Sequence, residues 1–278
     1  MRFTKMQGAG NDYVYVDCFD EQIDDPETLA KVISDRHYGV GGDGLILVMP
    51  SETSDVRMRM FNSDGSEGQM CGNGIRCVAK YAWDHARTEA NPMSVETMSG
   101  VKIIDLVLDA AGKATGATVD MGEPILDPPS IPVNMRLETV VEMPIRSLSR
   151  AFNMTCVSMG NPHTVIFVDD VSSIELDQFG PDLEHNALFP ERINVHFVQV
   201  HSGDEVTVRT WERGTGHTLA CGTGASAVCV AGILAKKTDR KITAHLDGGD
   251  LELEWRESDG HVYMTGPATE VFTGQWNG

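Results

Sequence analysis

The sequence predicts an α+β fold built twice: two lobes, each a mostly antiparallel or mixed sheet wrapped around a central apolar helix. Three observations predict it. Separate motifs recur at a single offset of 150 residues. Strand-like segments follow in the same order in each copy, and each copy ends in a glycine-rich turn that opens an apolar helical stretch.

The elements follow in chain order. Gly10-Asn11 precedes an apolar, β-branched segment at Tyr13–Val16, and Gly160-Asn161 precedes another at Thr164–Val168. Alternation of apolar and polar residues then marks a half-buried strand over Val56–Asn62 and again over Val206–Glu212. Val56, Arg59 and Phe61 line up with Val206, Arg209 and Trp211 at the same offset. Next come Cys71-Gly72-Asn73-Gly74 and Cys221-Gly222-Thr223-Gly224. One glycine-flanked turn would mean little, but shared spacing makes the case for a duplication. A helix is predicted from about Asn73 and from about Thr223, apolar on nearly all sides and therefore buried. The second ends at Lys236-Lys237, where cations suit the helix dipole. Two repeats are too few for a solenoid and suit two lobes with a binding cleft between them.

Pro124, Pro128, Pro129 and Pro132 mark irregular chain, of a kind found both between lobes and inside one. Residues 118–124 and 262–267 contain a weaker match, VDMGEP against VYMTGP. If these are equivalent strands, the end of the chain returns to the first lobe. The predicted division is therefore residues 1–117, completed by 263–278, and residues 118–262.

Composition narrows the function. The chain has 278 residues, 41% of them apolar, and a formal net charge of −19. That charge disfavours nucleic acid and anionic membranes as partners. The first residues lack the apolar stretch of an export signal, and the longest apolar run, Cys221–Ala235, is too short to span a bilayer. A cytoplasmic location is expected. Six cysteines are present without a Cys-x-x-Cys pair, and no His-x-x-x-His occurs, so no metal site is expected.

Cys71 and Cys221 carry the chemistry. The first residues of a helix offer unpaired N–H groups and a partial positive charge. A cysteine there should have its pKa lowered from roughly 8.5. The glycines after it let backbone amides close on an anion such as a carboxylate. Two such cradles facing one substrate would place a thiolate and a thiol on opposite faces of its α-carbon, where one removes a proton and the other returns it. A lone glycine-flanked cysteine reads equally well as a small buried hydrophobe; two at equivalent positions do not. A Cys71–Cys221 disulfide is the other alternative, here a liability of facing sulfurs rather than their purpose.

These residues resemble the diaminopimelate epimerase family. The likeness runs through GAGNDYVYVD, RHYGVGGDGLILV, MFNSDGSEGQMCGNGIRC, GNPH, INVHFVQV and WERGTGHTLACGTGASA. The cysteine-bearing blocks are the specific ones. Proline racemases have similar turns without the full set, and phenazine-type isomerases share the fold but generally lack the paired cysteines. The resemblance implies a cofactor-independent isomerase that interconverts LL- and meso-diaminopimelate, on the route to lysine and peptidoglycan. It implies Cys71 and Cys221 as the acid–base pair, with His163 and Glu212 supporting the thiols. Substrate contacts would come from Asn11, Asn62, Gly72, Asn73, Asn161, Asn194, Glu212, Arg213, Gly222 and Thr223. A homodimer and no cofactor are implied as well. Gly44 departs from family members that carry a glutamine substrate contact there. Cys18, Cys77, Cys156 and Cys229 match no catalytic position and read as packing. A racemase or epimerase for another amino acid, a thiol redox protein and an amino-acid-binding module are the alternatives.

Overall fold

Strand register carries the duplication from sequence into structure. A computed structural model describes residues 1–278. The chain divides into two units, Met1–Asp120 with Thr265–Gly278, and Met121–Met264.

In the first unit the elements are β1 (Arg2–Gly8), β2 (Asn11–Asp17), α1 (Pro26–Ile33), β3 (Gly44–Met49), β4 (Val56–Asn62), β5 (Glu67–Gly68), α2 (Gly72–Asp84), β6 (Met93–Thr97), β7 (Gly100–Leu108) and β8 (Ala114–Asp120). The second unit holds β9 (Met143–Ser147), β10 (Arg150–Ser158), β11 (Pro162–Phe167), α3 (Leu176–Glu184), β12 (Asn194–Ser202), β13 (Glu205–Glu212), β14 (Gly216–Thr218), α4 (Gly222–Leu234), β15 (Lys241–Leu246) and β16 (Gly249–Trp255). The division falls within β17 (Val262–Pro267), and β18 (Thr269–Gln275) pairs antiparallel with β1.

Strand pairing is mixed in both units and follows one order. β2 and β3 are parallel and β3 and β4 antiparallel; β11 and β12 are parallel and β12 and β13 antiparallel. Tyr13 faces Gly44 where His163 faces Asn194, and Leu45 faces Phe61 where Val195 faces Trp211. Each pair reproduces the sequence offset. β-branched and aromatic residues fill these strands because such side chains pack well on a pleated surface. Val14, Val16, Leu45, Leu47 and Phe61 are buried against α1 residues Ala30 and Ile33. Phe152, Ile166, Leu183, Val195 and Phe197 lie in the core of the second unit.

α4 matches the expectation of an apolar, buried helix: Gly224 through Gly232 are buried. It stops at Leu234, before the lysines, where Lys236 takes a φ of 56° and the Lys237 amide returns to the Gly232 carbonyl. α2 is buried as well, continuously from Asn73 to Ala79, but a charge lies inside that stretch: Arg76 donates from Nε to the Pro267 carbonyl (3.2 Å) and from Nη1 to the Gly72 carbonyl (3.1 Å). Lys80 pairs with Asp84 one turn on, at 2.6 Å. No helix is long and apolar enough to cross a membrane.

Candidate active site

Each cysteine is the N-cap of its helix: Cys71 for α2 and Cys221 for α4, both with extended backbone. Gly72 and Asn73, like Gly222 and Thr223, therefore supply the first helical amides, which have no intrahelical acceptor. Neither helix has an acidic residue in its first turn to compete for an anion. At the starts of β2 and β11, Gly10 (φ 82°) and Gly160 (φ 94°) make the left-handed turns that deliver Asn11 and Asn161.

In the first unit, the Gly74 amide donates to Cys71 Sγ (3.4 Å), and the Cys71 thiol donates to Asn11 Oδ1 (3.3 Å). Asn11 is fixed in turn, its Nδ2 donating to Asp43 Oδ2 at 2.6 Å. Behind Asp43 stands a charged network. Arg36 bridges Asp43 (2.9 Å) and Asp12 (2.7 Å), and buried Lys5 pairs with Asp12 (2.6 Å) and donates to the Gly41 carbonyl. Burial opposes ionisation of Asp12, but Arg36 and Lys5 prevail and hold its carboxyl below the usual range. Asn73 is buried, and its Oδ1 has no hydrogen-bond partner, the condition of an atom kept for a ligand. Asn62, at the end of β4, donates from Nδ2 to Ser66 Oγ at 3.0 Å. Gly44 excludes any side chain, because a Cβ there would lie 2.0 Å from the Phe61 carbonyl oxygen.

In the second unit, Cys221 is buried at 5% exposure. Burial pushes its thiol well up, and the neighbouring Glu212 carboxylate pushes it further, while the Thr223 hydroxyl and Gly224 amide pull down. The expectation that a helix start lowers the cysteine pKa is therefore corrected for Cys221. Desolvation and a nearby anion outweigh the amides, and the group rests as a thiol. Glu212 also accepts from Thr218 Oγ1 at 2.6 Å.

His163 is fully buried on β11. Its Nε2 meets Asn161 Oδ1 and its Nδ1 meets His196 Nε2, both at 2.9 Å. Both ring nitrogens are thus engaged by these two side chains. Asn194 is buried and clamps two segments: Nδ2 donates to the Pro162 carbonyl (2.8 Å) and Oδ1 accepts from the Arg213 amide (2.9 Å). The Arg213 guanidinium donates to the Glu191 carbonyl at 3.0 Å. Buried Glu184 holds the same loop, accepting from Trp211 Nε1 (2.8 Å) and the Gly214 amide (3.0 Å).

Of the predicted residues, Asn11 touches Cys71, and Thr223 and Glu212 neighbour Cys221. Sequence reasoning missed Asp43, Arg36, Lys5, His196, Thr210 and Glu184. His196 had a signal: at the repeat offset it stands where the first copy has the apolar Ile46. No group of three or more His, Cys, Asp or Glu side chains is placed to hold a metal ion.

This duplicated α+β fold has known members. A PhzF-family phenazine biosynthesis protein from Bacillus anthracis superposes with a TM-score of 0.70 at 15% identity, covering 99% of this chain and 98% of that one. A probable proline racemase from Agrobacterium radiobacter gives 0.68 at 14% identity, covering 99% and 92%. At such identities the likeness shows the fold alone.

Sequence comparison carries the assignment further. The family model described as diaminopimelate epimerase matches residues 3–126 and 155–271. A diaminopimelate epimerase from Acetivibrio thermocellus is 54% identical over 275 residues, covering 99% of this chain and 98% of its own length. Another, from Methanococcus maripaludis, is 48% identical over 275 residues, covering 99% of each. The chain belongs to the diaminopimelate epimerase family, and so to the isomerases.

Proposed function

We propose that the protein interconverts LL- and meso-2,6-diaminopimelate with Cys71 and Cys221 as its two acid–base groups. The observation that carries this reading is the repetition, in both units, of a cysteine capping a helix whose first amides are free for an anion.

The chemistry follows from these parts. The substrate α-carboxylate takes N–H bonds from the residues after the cysteines, Gly72, Asn73, Gly222 and Thr223. One cysteine, as thiolate, removes the α-proton and becomes a thiol. The electron pair spreads onto carboxylate oxygens already surrounded by amide donors, where preorganised dipoles act most strongly. The other cysteine, as thiol, gives its proton to the opposite face and becomes a thiolate. The carbon is inverted, no electrons are lost, and the two cysteines exchange roles for the reverse direction. No step calls for an oxidant or an added cofactor.

The distal amino-acid group of the substrate falls to Asn11, Asn62, Asn161, Asn194, Glu212 and Arg213. Arg213 can fork a carboxylate and Glu212 can pair with an ammonium. An ammonium at Glu212 would neutralise the charge that disfavours the Cys221 thiolate, linking binding to activation of the base. The same family likeness supports a cytoplasmic location and a homodimer.

The test is LL-diaminopimelate in heavy water, sampled early. Two opposed groups place solvent deuterium in the product while recovered substrate stays largely unlabelled. Equal labelling of recovered substrate and product would mean a single base and would overturn the paired-cysteine reading.

A further inference from the structure

His196 does not appear among the residues implied by family likeness, yet it is fully buried and hydrogen-bonded at both ring nitrogens. It lies on β12, between His163 on β11 and Thr210 on β13. Four polar groups thus join in one line: Asn161 Oδ1 to His163 Nε2, His163 Nδ1 to His196 Nε2, and His196 Nδ1 to Thr210 Oγ1, each at 2.9 Å. Both rings and Thr210 are buried. A line of this kind is costly to bury unless every member is satisfied, and here each link has a partner.

The proton positions can be read along the line. An amide oxygen only accepts, so His163 must carry its proton on Nε2. Its Nδ1 is then an acceptor, and His196 must carry a proton on Nε2 to reach it. His196 Nδ1 is left as an acceptor for the Thr210 hydroxyl. The line has one direction, with donors running from Thr210 to Asn161. Burial holds both rings neutral, His196 down to about 3 and His163 well below its ordinary value, with His196 and Arg213 adding to the effect on His163.

We infer that His196 is a positioning residue: through His163 it fixes the amide of Asn161 so that Asn161 offers its NH2, not its oxygen, to a carboxylate of the substrate. The inference rests on the reading of Asn161 as a substrate contact. The opposite amide orientation would turn an oxygen toward the anion and would require both imidazoles to shift their protons. Without His196 that constraint disappears. The first unit shows that the strand does not need a histidine for packing, because the equivalent residue is Ile46. Those two residues also face equivalent helix glycines, with a Cβ on Gly74 meeting Ile46 Cδ1 and one on Gly224 meeting His196 Cε1.

Four variants of the full-length protein, assayed with LL-diaminopimelate, test this. His196→Ile copies the other half. It should raise KM by about tenfold, the scale of one hydrogen bond to a charged group, with kcat within about twofold of native. His196→Gln keeps an N–H donor at the same reach and should recover most of the loss. Thr210→Val removes the far end at constant volume and should raise KM less. Asn161→Ala sets the ceiling, and adding His196→Ile to it should cost nothing more, because the relay acts only through Asn161. A purely structural His196 would lower Tm without this KM pattern.

Long-range 15N spectra of histidine-labelled native protein read the protons directly, and both rings should be neutral with the proton on Nε2. An Nδ1-protonated ring at either position overturns the proposal, whether or not a variant folds. Unchanged KM in His196→Ile alongside raised KM in Asn161→Ala overturns the relay and leaves the site reading standing. Unchanged KM in Asn161→Ala removes Asn161 from the site itself.

Discussion

Two copies of one backbone hold two cysteines in unlike surroundings. α2 and α4 begin and end at equivalent residues, and the strands beside them keep equivalent partners. The side chains behind the cradles are not equivalent. Asn62 at the end of β4 becomes Glu212, Gly44 becomes Asn194, Tyr13 becomes His163 and Ile46 becomes His196. In the first unit a partly exposed thiol leans on an amide oxygen held by a charged network. In the second, a buried thiol sits beside a carboxylate, and the nearby asparagine is held by neutral imidazoles. Even the amides run oppositely: Asn11 spends its NH2 on Asp43 and Asn161 spends its oxygen on His163. The two copies keep the same cysteine-capped helix start, and the residues behind it have diverged.

The most severe way to break this comparison is to remove each thiol in turn. Cys71→Ala and Cys221→Ala should each lower kcat for LL-to-meso conversion by about 10²–10⁴, the usual worth of a positioned acid or base. Coupled assays of the two variants check this. Normal turnover in both would end the two-base reading.

Next in size are the helix glycines. A methyl at Gly224 would lie 2.2 Å from His196 Cε1, part of a ring hydrogen-bonded on both sides. At Gly74 the corresponding contact is 2.7 Å, to Ile46 Cδ1, the free end of a flexible side chain. Gly224→Ala should cost about 3 kcal/mol by urea unfolding and Gly74→Ala about 1, the two ends of the overpacking range. Equal costs would mean that His196 yields as readily as Ile46 and is not held by its relay.

Much of this was legible from sequence, and the gaps have physical causes. The fold class, the strand order and both helix starts followed from periodicity and from one repeated offset, which are properties of the chain itself. The cysteines followed because glycine-flanked helix starts have a fixed chemistry. How α2 buries Arg76 was hidden, because one of the carbonyls that accept from it, Pro267, lies 191 residues away. The direction of the Cys221 shift was hidden for a similar reason: a helix start lowers a thiol pKa, but only tertiary packing reveals that burial and Glu212 raise it more. Asp43 and Glu184 act through long-range hydrogen bonds, and neither lies in a pattern that would set it apart.

Acid should expose a further difference between the halves. The second unit buries two neutral histidines and the first uses Tyr13 and Ile46 in their places. Their folded pKa values lie below the ordinary 6.5. Below about pH 6.5 the unfolded chain takes up protons that the folded chain refuses. Stability is therefore complete above that pH and is lost as pH falls toward about 3, the His196 value. Each histidine contributes a slope of about 1.4 kcal/mol per pH unit within that window. His196→Ile should flatten the pH dependence of unfolding free energy between pH 6 and 4 by about that amount. An unchanged slope would mean that His196 protonates freely in the folded protein.

The smallest effect, and the one that isolates the electrostatic contrast, concerns Glu212. Its carboxylate disfavours the Cys221 thiolate, and Cys71 has Asn62, a neutral side chain, at the equivalent place. Glu212→Gln removes the charge while keeping the shape. The Cys221 pKa should fall, because one of the two causes raising it is gone while burial remains. Below that pKa each unit of decrease gives about tenfold more thiolate, so iodoacetamide should label Cys221 several-fold faster at pH 8 in the variant. Cys71 labelling should stay as it was. Mass spectrometry of the two cysteine-containing peptides separates the rates. Faster labelling must accompany slower epimerisation, because the variant gains thiolate at rest but loses the charge that couples it to a substrate ammonium. Unchanged Cys221 labelling would show that burial alone sets its protonation, and the contrast between the halves would then rest on packing and not on charge.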